Sequence, residues 1–135
     1  MDTLCRTYLC ILSAYHLFTG IVSMFFPYFA MEFYKRFYSC TPPDREDLFL
    51  ILKPWGALAA FAGIAGFFAA ADPDRYRGVI LGLILLLAYR IYYRMVFGGM
   101  LAKHANIPSQ RNFLNVVLIA FGIVILGAWV LQAAA

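Results

Sequence analysis

The apolar stretches of this sequence contain no aspartate or glutamate. Charged residues make up only 13% of the chain, whereas a soluble domain averages about 25%. Hydrophobic residues make up 64%, and the mean hydropathy is +0.77. This composition is typical of an integral membrane protein. Proton-coupled transporters normally carry a carboxylate inside a span, so the sequence argues against that class.

Several chemical signatures are also missing. The sequence has no serine–histidine–acid set, no phosphate-binding loop and no cysteine or histidine spacing typical of a metal site. The net charge of +4 comes from residues near the ends of the apolar runs, and no nucleic-acid-binding pattern accompanies it. Anionic lipid headgroups are the nearer counter-ions. These absences favour a protein that is not an enzyme, but they leave the question open.

Four apolar runs are long enough to cross a bilayer as helices. They cover residues 7–30, 48–71, 78–101 and 113–131. Because short loops join them, we predict a single all-α domain over residues 1–135, an integral membrane four-helix bundle with up-down-up-down topology. The first loop begins with mixed charged and aromatic residues, MEFYKRFY, which predict a short amphipathic helix at the membrane interface.

The second run is rich in small residues, which let another helix approach closely. A GxxxG pair also occurs near the start of the third run. The residues predicted to pack helices are Gly56, Ala59, Gly63, Gly66, Gly78 and Gly82. We expect their partner to be another helix of the chain, with a partner subunit or a flat lipid such as a sterol or quinone as the alternative.

Basic residues are unevenly divided between the two ends of the predicted bundle. One end holds Arg6, Arg75 and Arg77, and the other holds at least twice as many. By the positive-inside rule, loops 31–47 and 102–112 should be cytoplasmic and both termini outside. Arginine is more frequent than lysine, which hints at a bacterial source. We therefore expect a bacterial inner-membrane protein with periplasmic termini.

Arg90 and Arg94 are the most informative polar residues, because a spacing of four places both on one helix face. Burying a guanidinium in hydrocarbon costs at least about 2.5 kcal/mol, so we expect a partner or a ligand. One hypothesis is structural, with ion pairs to acids of the first loop or to lipid phosphate. The other is an anionic-ligand site flanked by tyrosines. The residues considered for these two roles are Arg90, Arg94, Tyr93, Glu32, Asp47 and Lys53.

His16 is the only histidine inside a predicted span. We expect it to be a buried histidine bonded to a nearby hydroxyl or carbonyl group, with an axial ligand to haem or a chlorophyll-type pigment as the alternative. A bis-histidine haem would need a second intramembrane histidine, so a b-type cytochrome is disfavoured. No cofactor is predicted, although a bound lipid or quinone is compatible with the arginines.

The stretch LKPWGALAAFAGIAGFFAAADPDRYRGV lies in a layout of four short spans with an amphipathic first loop. This layout resembles the DoxX-like small bacterial membrane proteins, which implies thiol or quinone redox chemistry in some relatives. Cys5 and Cys10 are the residues that could serve such chemistry, although helix packing is their expected role. The layout is also similar to small endoplasmic-reticulum scaffold proteins of sterol biosynthesis, which tether enzymes without being catalytic. Neither resemblance carries over a functional residue.

Three functions follow as expectations. The first is a non-catalytic accessory or scaffold subunit of a larger membrane assembly, with other integral membrane subunits and lipids as partners. The second is a lipid- or quinone-binding protein that uses Arg90, Arg94 and Tyr93 on a headgroup. The third is a pigment- or haem-carrying subunit of an electron-transfer or photosynthetic complex that uses His16. No nucleic-acid partner is expected.

Overall fold

The computed structural model describes residues 1–39 and 47–133, without the side chains of residues 47–49. Within these ranges all regular structure is helical, as the sequence predicts. The helices are α1 (Asp2–Phe25), α2 (Pro27–Tyr38), α3 (Asp47–Ala71), α4 (Arg77–Val96), α5 (Gly98–Ala105) and α6 (Ser109–Gln132). Four stretches are long and apolar enough to cross a membrane: Asp2–Phe25, Leu50–Ala71, Arg77–Val96 and Ser109–Gln132. The prediction of an all-helical fold with four helices long and apolar enough to cross a membrane is confirmed for the described residues.

Pro27 divides the first predicted span. The sequence predicts a span to residue 30, but α1 ends at Phe25. A proline disfavours helical backbone at the residue before it, and Phe26 leaves the helix with φ −129° and ψ 60°. Pro27 then begins α2, where a missing N–H costs nothing. The amphipathic helix expected in the first loop is therefore longer than MEFYKRFY.

Two hydrogen bonds show that α2 runs back along α1. The hydroxyls of Ser23 and Tyr34 are 3.0 Å apart, and those of Tyr15 and Tyr38 are 2.6 Å apart. Later residues of α2 therefore contact earlier residues of α1. The end of α2 lies beside the middle of α1, and its tyrosines reach the interior of the fold.

The tightest helix contact is between α1 and α3. A β-carbon added to Gly63 would lie 2.6 Å from the backbone nitrogen of Leu17 and 2.8 Å from the carbonyl oxygen of Ser13. One added to Gly56 would lie 2.8 Å from the carbonyl oxygen of Gly20. The two backbones approach this closely because no side chain separates them.

The other small residues predicted for packing divide into two groups. Gly66 is buried against Ser13 of α1, and Ala59 is half-buried on α3. Gly78 and Gly82, by contrast, have no atom of the described residues within 4 Å of an added β-carbon. The buried residues of α4 are Ile80, Leu83 and Leu87, on the opposite face of the helix. The GxxxG face of α4 thus makes no helix contact within the described part of this chain.

Arginines cap two helices at one end of the fold. Arg6 of α1 donates to the carbonyl oxygens of Ala70 and Ala71, at 3.0 and 2.6 Å, where α3 ends. Arg77 donates to the carbonyl oxygen of Val130 at 2.6 Å, near the end of α6. The last carbonyls of a helix lack partners and carry the negative end of its dipole, so a cation there is stabilising.

Helices α1 and α6 are also in contact at this end of the fold. The indole nitrogen of Trp129 donates to Oδ1 of Asp2 at 2.8 Å. Further along, Gly122 leaves room for the Tyr8 hydroxyl, which a β-carbon at this position would overlap. Cys5 is buried in this core, whereas Cys10 is exposed.

Candidate anion-binding site

Polar side chains from four helices meet towards the end of α4. The arginine cluster, as we name it, consists of Tyr15, His16, Tyr38, Arg90, Arg94 and Asn112. Arg90 lies roughly 9 Å before the end of α4 and Arg94 roughly 3 Å before it, at a rise of about 1.5 Å per residue. Both arginines are half-buried. The guanidinium groups therefore belong to the last third of a candidate span.

Arg90 contacts His16 across the α1–α4 interface. Nη1 of Arg90 lies 3.5 Å from Nε2 of His16, and Nδ1 of His16 lies 2.8 Å from the carbonyl oxygen of Leu12. A carbonyl can only accept, so Nδ1 carries a proton. A guanidinium can only donate, so the contact with Arg90 fits the neutral form of His16, in which Nε2 accepts. The nitrogen that a haem or pigment would take already faces a cation.

Arg94 is held by α6. Its Nη1 donates to Oδ1 of Asn112 at 2.9 Å, and Nδ2 of Asn112 donates back to the carbonyl oxygen of Arg94 at 3.1 Å. The guanidinium carbon lies 5.4 Å from the centre of the Tyr38 ring, within cation–π distance. Arg94 is thus fixed between α2 and α6 by uncharged groups.

The tyrosines of α2 close the cluster on the side of α1. Tyr38 shares its 2.6 Å hydrogen bond with Tyr15, whose ring meets His16 edge-on at 5.3 Å. One turn earlier, Tyr34 pairs with Ser23. Burial raises the pKa of the Tyr34 hydroxyl above its ordinary value, so this side chain remains neutral at physiological pH.

The acids expected to neutralise the arginines are not found beside them in the described structure. Glu32 is exposed and pairs with Lys35 on α2 at 3.0 Å. Asp47 begins α3, but its side chain and the remaining acids of the first loop lie outside the described residues. Lys53 is exposed on α3. Among the described side chains, the named contacts of both guanidiniums are therefore with neutral groups.

Tyr93 lies outside the arginine cluster although it precedes Arg94 in the sequence. Neighbouring residues of a helix point about 100° apart, so Tyr93 projects from a different face. It is exposed, and its ring lies 5.0 Å from Phe97. The tyrosines that do approach the arginines come from α1 and α2. For Tyr38 the sequence signal is its spacing of four from Tyr34, which places both on the face of α2 that contacts α1.

A cavity of about 440 Å³ opens beside Arg94, between α4, α5 and the start of α6. We name it the α5–α6 groove. Its wall includes Arg94, Gly98, Gly99, Asn112, Phe113 and Val116. The helix interruption at Phe97 separates α5 from α4 beside it. A largely apolar groove thus begins at a guanidinium.

No family model, curated protein or solved structure matches this chain. Within the described residues, no three histidine, cysteine, aspartate or glutamate side chains are grouped so as to hold a metal ion. The functional assignment is therefore based on the arginine cluster and the α5–α6 groove.

Proposed function

We propose that this protein binds an anionic amphiphile within the membrane, with the acidic headgroup at Arg90 and Arg94 and the apolar chain in the α5–α6 groove. One observation carries the proposal: two half-buried guanidiniums lie in a candidate span, and their described partners are neutral. This geometry favours ligand binding over the accessory-subunit role. No contact of the described residues supports that role, and it stays a prediction.

The charge of the arginine cluster supports an anionic ligand. A guanidinium in hydrocarbon is costly until an anion neutralises it. Each guanidinium has five N–H donors in a planar fork that matches a carboxylate or phosphate group. The contacts with His16 and Asn112 engage one donor nitrogen on each arginine and leave others for a headgroup. Those two side chains would therefore orient the arginines rather than compete with the ligand.

We also propose an up-down-up-down bundle in a bacterial inner membrane, with both termini periplasmic and loops 31–47 and 102–112 cytoplasmic. One observation supports this orientation. Arg6 and Arg77 donate to the last carbonyl oxygens of α3 and α6, so at this end of the fold two basic residues are already engaged. The arginine cluster would then lie towards the cytoplasmic leaflet, where anionic lipids attract basic groups.

Replacing either cluster arginine should remove headgroup binding. We expect Arg90→Gln and Arg94→Gln each to weaken the binding of a fluorescent anionic lipid by at least about tenfold, because a charge-assisted pair is lost. The measurement is titration of the full-length protein in neutral detergent micelles. Arg111→Gln, at an exposed arginine near the start of α6, is the matched control and should bind normally. Equal affinities in all three variants would show that the cluster is not the site.

Filling the α5–α6 groove should weaken binding without unfolding the protein. An added β-carbon at Gly99 meets no described atom within 4 Å, so Gly99→Leu introduces bulk into open groove space. We expect a loss of about tenfold for a long-chain anionic lipid and an unchanged melting temperature. Gly82→Leu adds the same side chain at an open position elsewhere and serves as the control. Normal lipid affinity in Gly99→Leu would exclude the groove as the chain site.

A further inference from the structure

We infer that the headgroup bound at Arg90 and Arg94 is a phosphomonoester dianion carried on an apolar chain. This inference rests on the proposed function and specifies its ligand. The described cluster contributes two positive charges, from one helix face, against a neutral histidine, a neutral asparagine and tyrosine hydroxyls. A phosphomonoester carries about −1.5 to −2 charge at pH 7 and matches that total. A carboxylate or phosphodiester carries only one negative charge and would leave one half-buried guanidinium without a counter-charge.

The arrangement of donors points to the same class. Arg90 and Arg94 present two forks one helical turn apart, and the hydroxyl pair of Tyr15 and Tyr38 lies beside them. Three terminal phosphate oxygens can accept from both forks and retain acceptor capacity for a hydroxyl. A carboxylate has only two oxygens, and a phosphodiester has two unesterified ones. The third oxygen leaves an acceptor for a hydroxyl after both arginines are bound.

The pH dependence of binding can separate these headgroups. The second ionisation of a phosphomonoester has a pKa of about 6, so the dianion forms as pH rises from 5 to 8. The charge of a cluster residue such as His16 acts on both lipids. Protonation of His16 at low pH would strengthen the binding of every anion. The ratio of affinities for two lipids with identical chains therefore isolates the ionisation of the headgroup.

The experiment compares dioleoylphosphatidic acid with dioleoylphosphatidylglycerol, each titrated into the full-length protein in neutral detergent micelles. We expect phosphatidic acid to bind at least about tenfold more tightly at pH 7.5, with the ratio falling several-fold at pH 5. Arg90→Gln should abolish the preference. Inorganic phosphate, tested as a competitor, should displace neither lipid, because it lacks the chain that occupies the groove.

The outcomes distinguish this inference from the proposed function. If both lipids bind equally and both depend on Arg90 and Arg94, anionic-lipid binding stands and the phosphomonoester assignment is overturned. A preference that does not change with pH also overturns the assignment. If inorganic phosphate competes as well as phosphatidic acid, the site recognises free phosphate rather than an amphiphile. If neither lipid binds, the proposed function itself fails.

Discussion

Arg90→Leu is expected to make the ligand-free protein more stable while it abolishes ligand binding. The guanidinium of Arg90 has one named hydrogen-bonding partner among the described residues, a neutral histidine at 3.5 Å. Removing an unneutralised cation from a membrane span should gain roughly 2.5 kcal/mol, less about 1 kcal/mol for the donor that His16 loses. The measurement is the unfolding midpoint of delipidated protein in detergent, followed by circular dichroism as denaturant is added. Added ligand should stabilise the wild type and leave the variant unchanged.

The opposite sign would identify a structural arginine. If a first-loop carboxylate neutralises Arg90, the leucine variant leaves that carboxylate buried and unpaired, which destabilises a protein by about 3–5 kcal/mol. Arg77→Leu is the control in the same helix. Arg77 caps α6 through carbonyl oxygens, so its loss should destabilise the protein by about 1 kcal/mol whatever the ligand state. A destabilised Arg90→Leu protein would contradict a site that waits for an external anion.

Gly63→Val is expected to separate α1 from α3 and to prevent formation of the native fold. The new β-carbon would meet the backbone nitrogen of Leu17 at 2.6 Å and the carbonyl oxygen of Ser13 at 2.8 Å. Backbone atoms cannot rotate away as a side chain can, so the helices must move apart. We expect a loss above about 4 kcal/mol, at the extreme of single substitutions. Headgroup binding should be lost as well, because α1 also carries His16 and Tyr15.

Thermal unfolding and size-exclusion chromatography measure this effect. Gly82→Val is the matched control, since it places the same side chain in a membrane-spanning helix with no described atom within 4 Å. Its melting temperature should stay within a few degrees of the wild type, as surface substitutions usually change stability by about 0.5 kcal/mol or less. Equal melting temperatures for the two variants would show that α1 and α3 are not in backbone contact at Gly63.

Features that depend on local composition were predictable from the sequence. The four spans follow from the length of the apolar runs, and the shared face of Arg90 and Arg94 follows from their spacing. Small residues in the second run likewise predict a close helix approach, which the structure places between α1 and α3 at Gly56 and Gly63. Each of these inferences needs only neighbours within one helix.

The partners of the arginines depend on how distant segments meet. Tyr38 reaches the cluster only because Pro27 ends α1 and allows α2 to run back along it. Asn112, in the first turn of α6, contacts Arg94 across the α4–α6 interface. The spacing of residues within one helix predicts neither contact, because in each pair the chain changes direction between the two partners.

Small-residue spacing also leaves the orientation of a helix undetermined. Gly78 and Gly82 have a spacing that favours close packing, yet α4 places larger residues, including Leu83, in the core. A GxxxG pair shows that one face of a helix carries no large side chains at these positions. Which face meets a neighbour is decided by the summed burial along the whole helix, and in α4 the leucines and isoleucines dominate that sum.

The bond between Trp129 and Asp2 has a consequence for biosynthesis. The ribosome makes α1 well before α6, so a nascent chain exposes the matching surface of α1 until α6 has been translated and inserted. Asn112 belongs to the same helix, so its hydrogen bond with Arg94 also forms only after α6 has been inserted. A translation intermediate that stops before α6 would therefore lack part of the headgroup site.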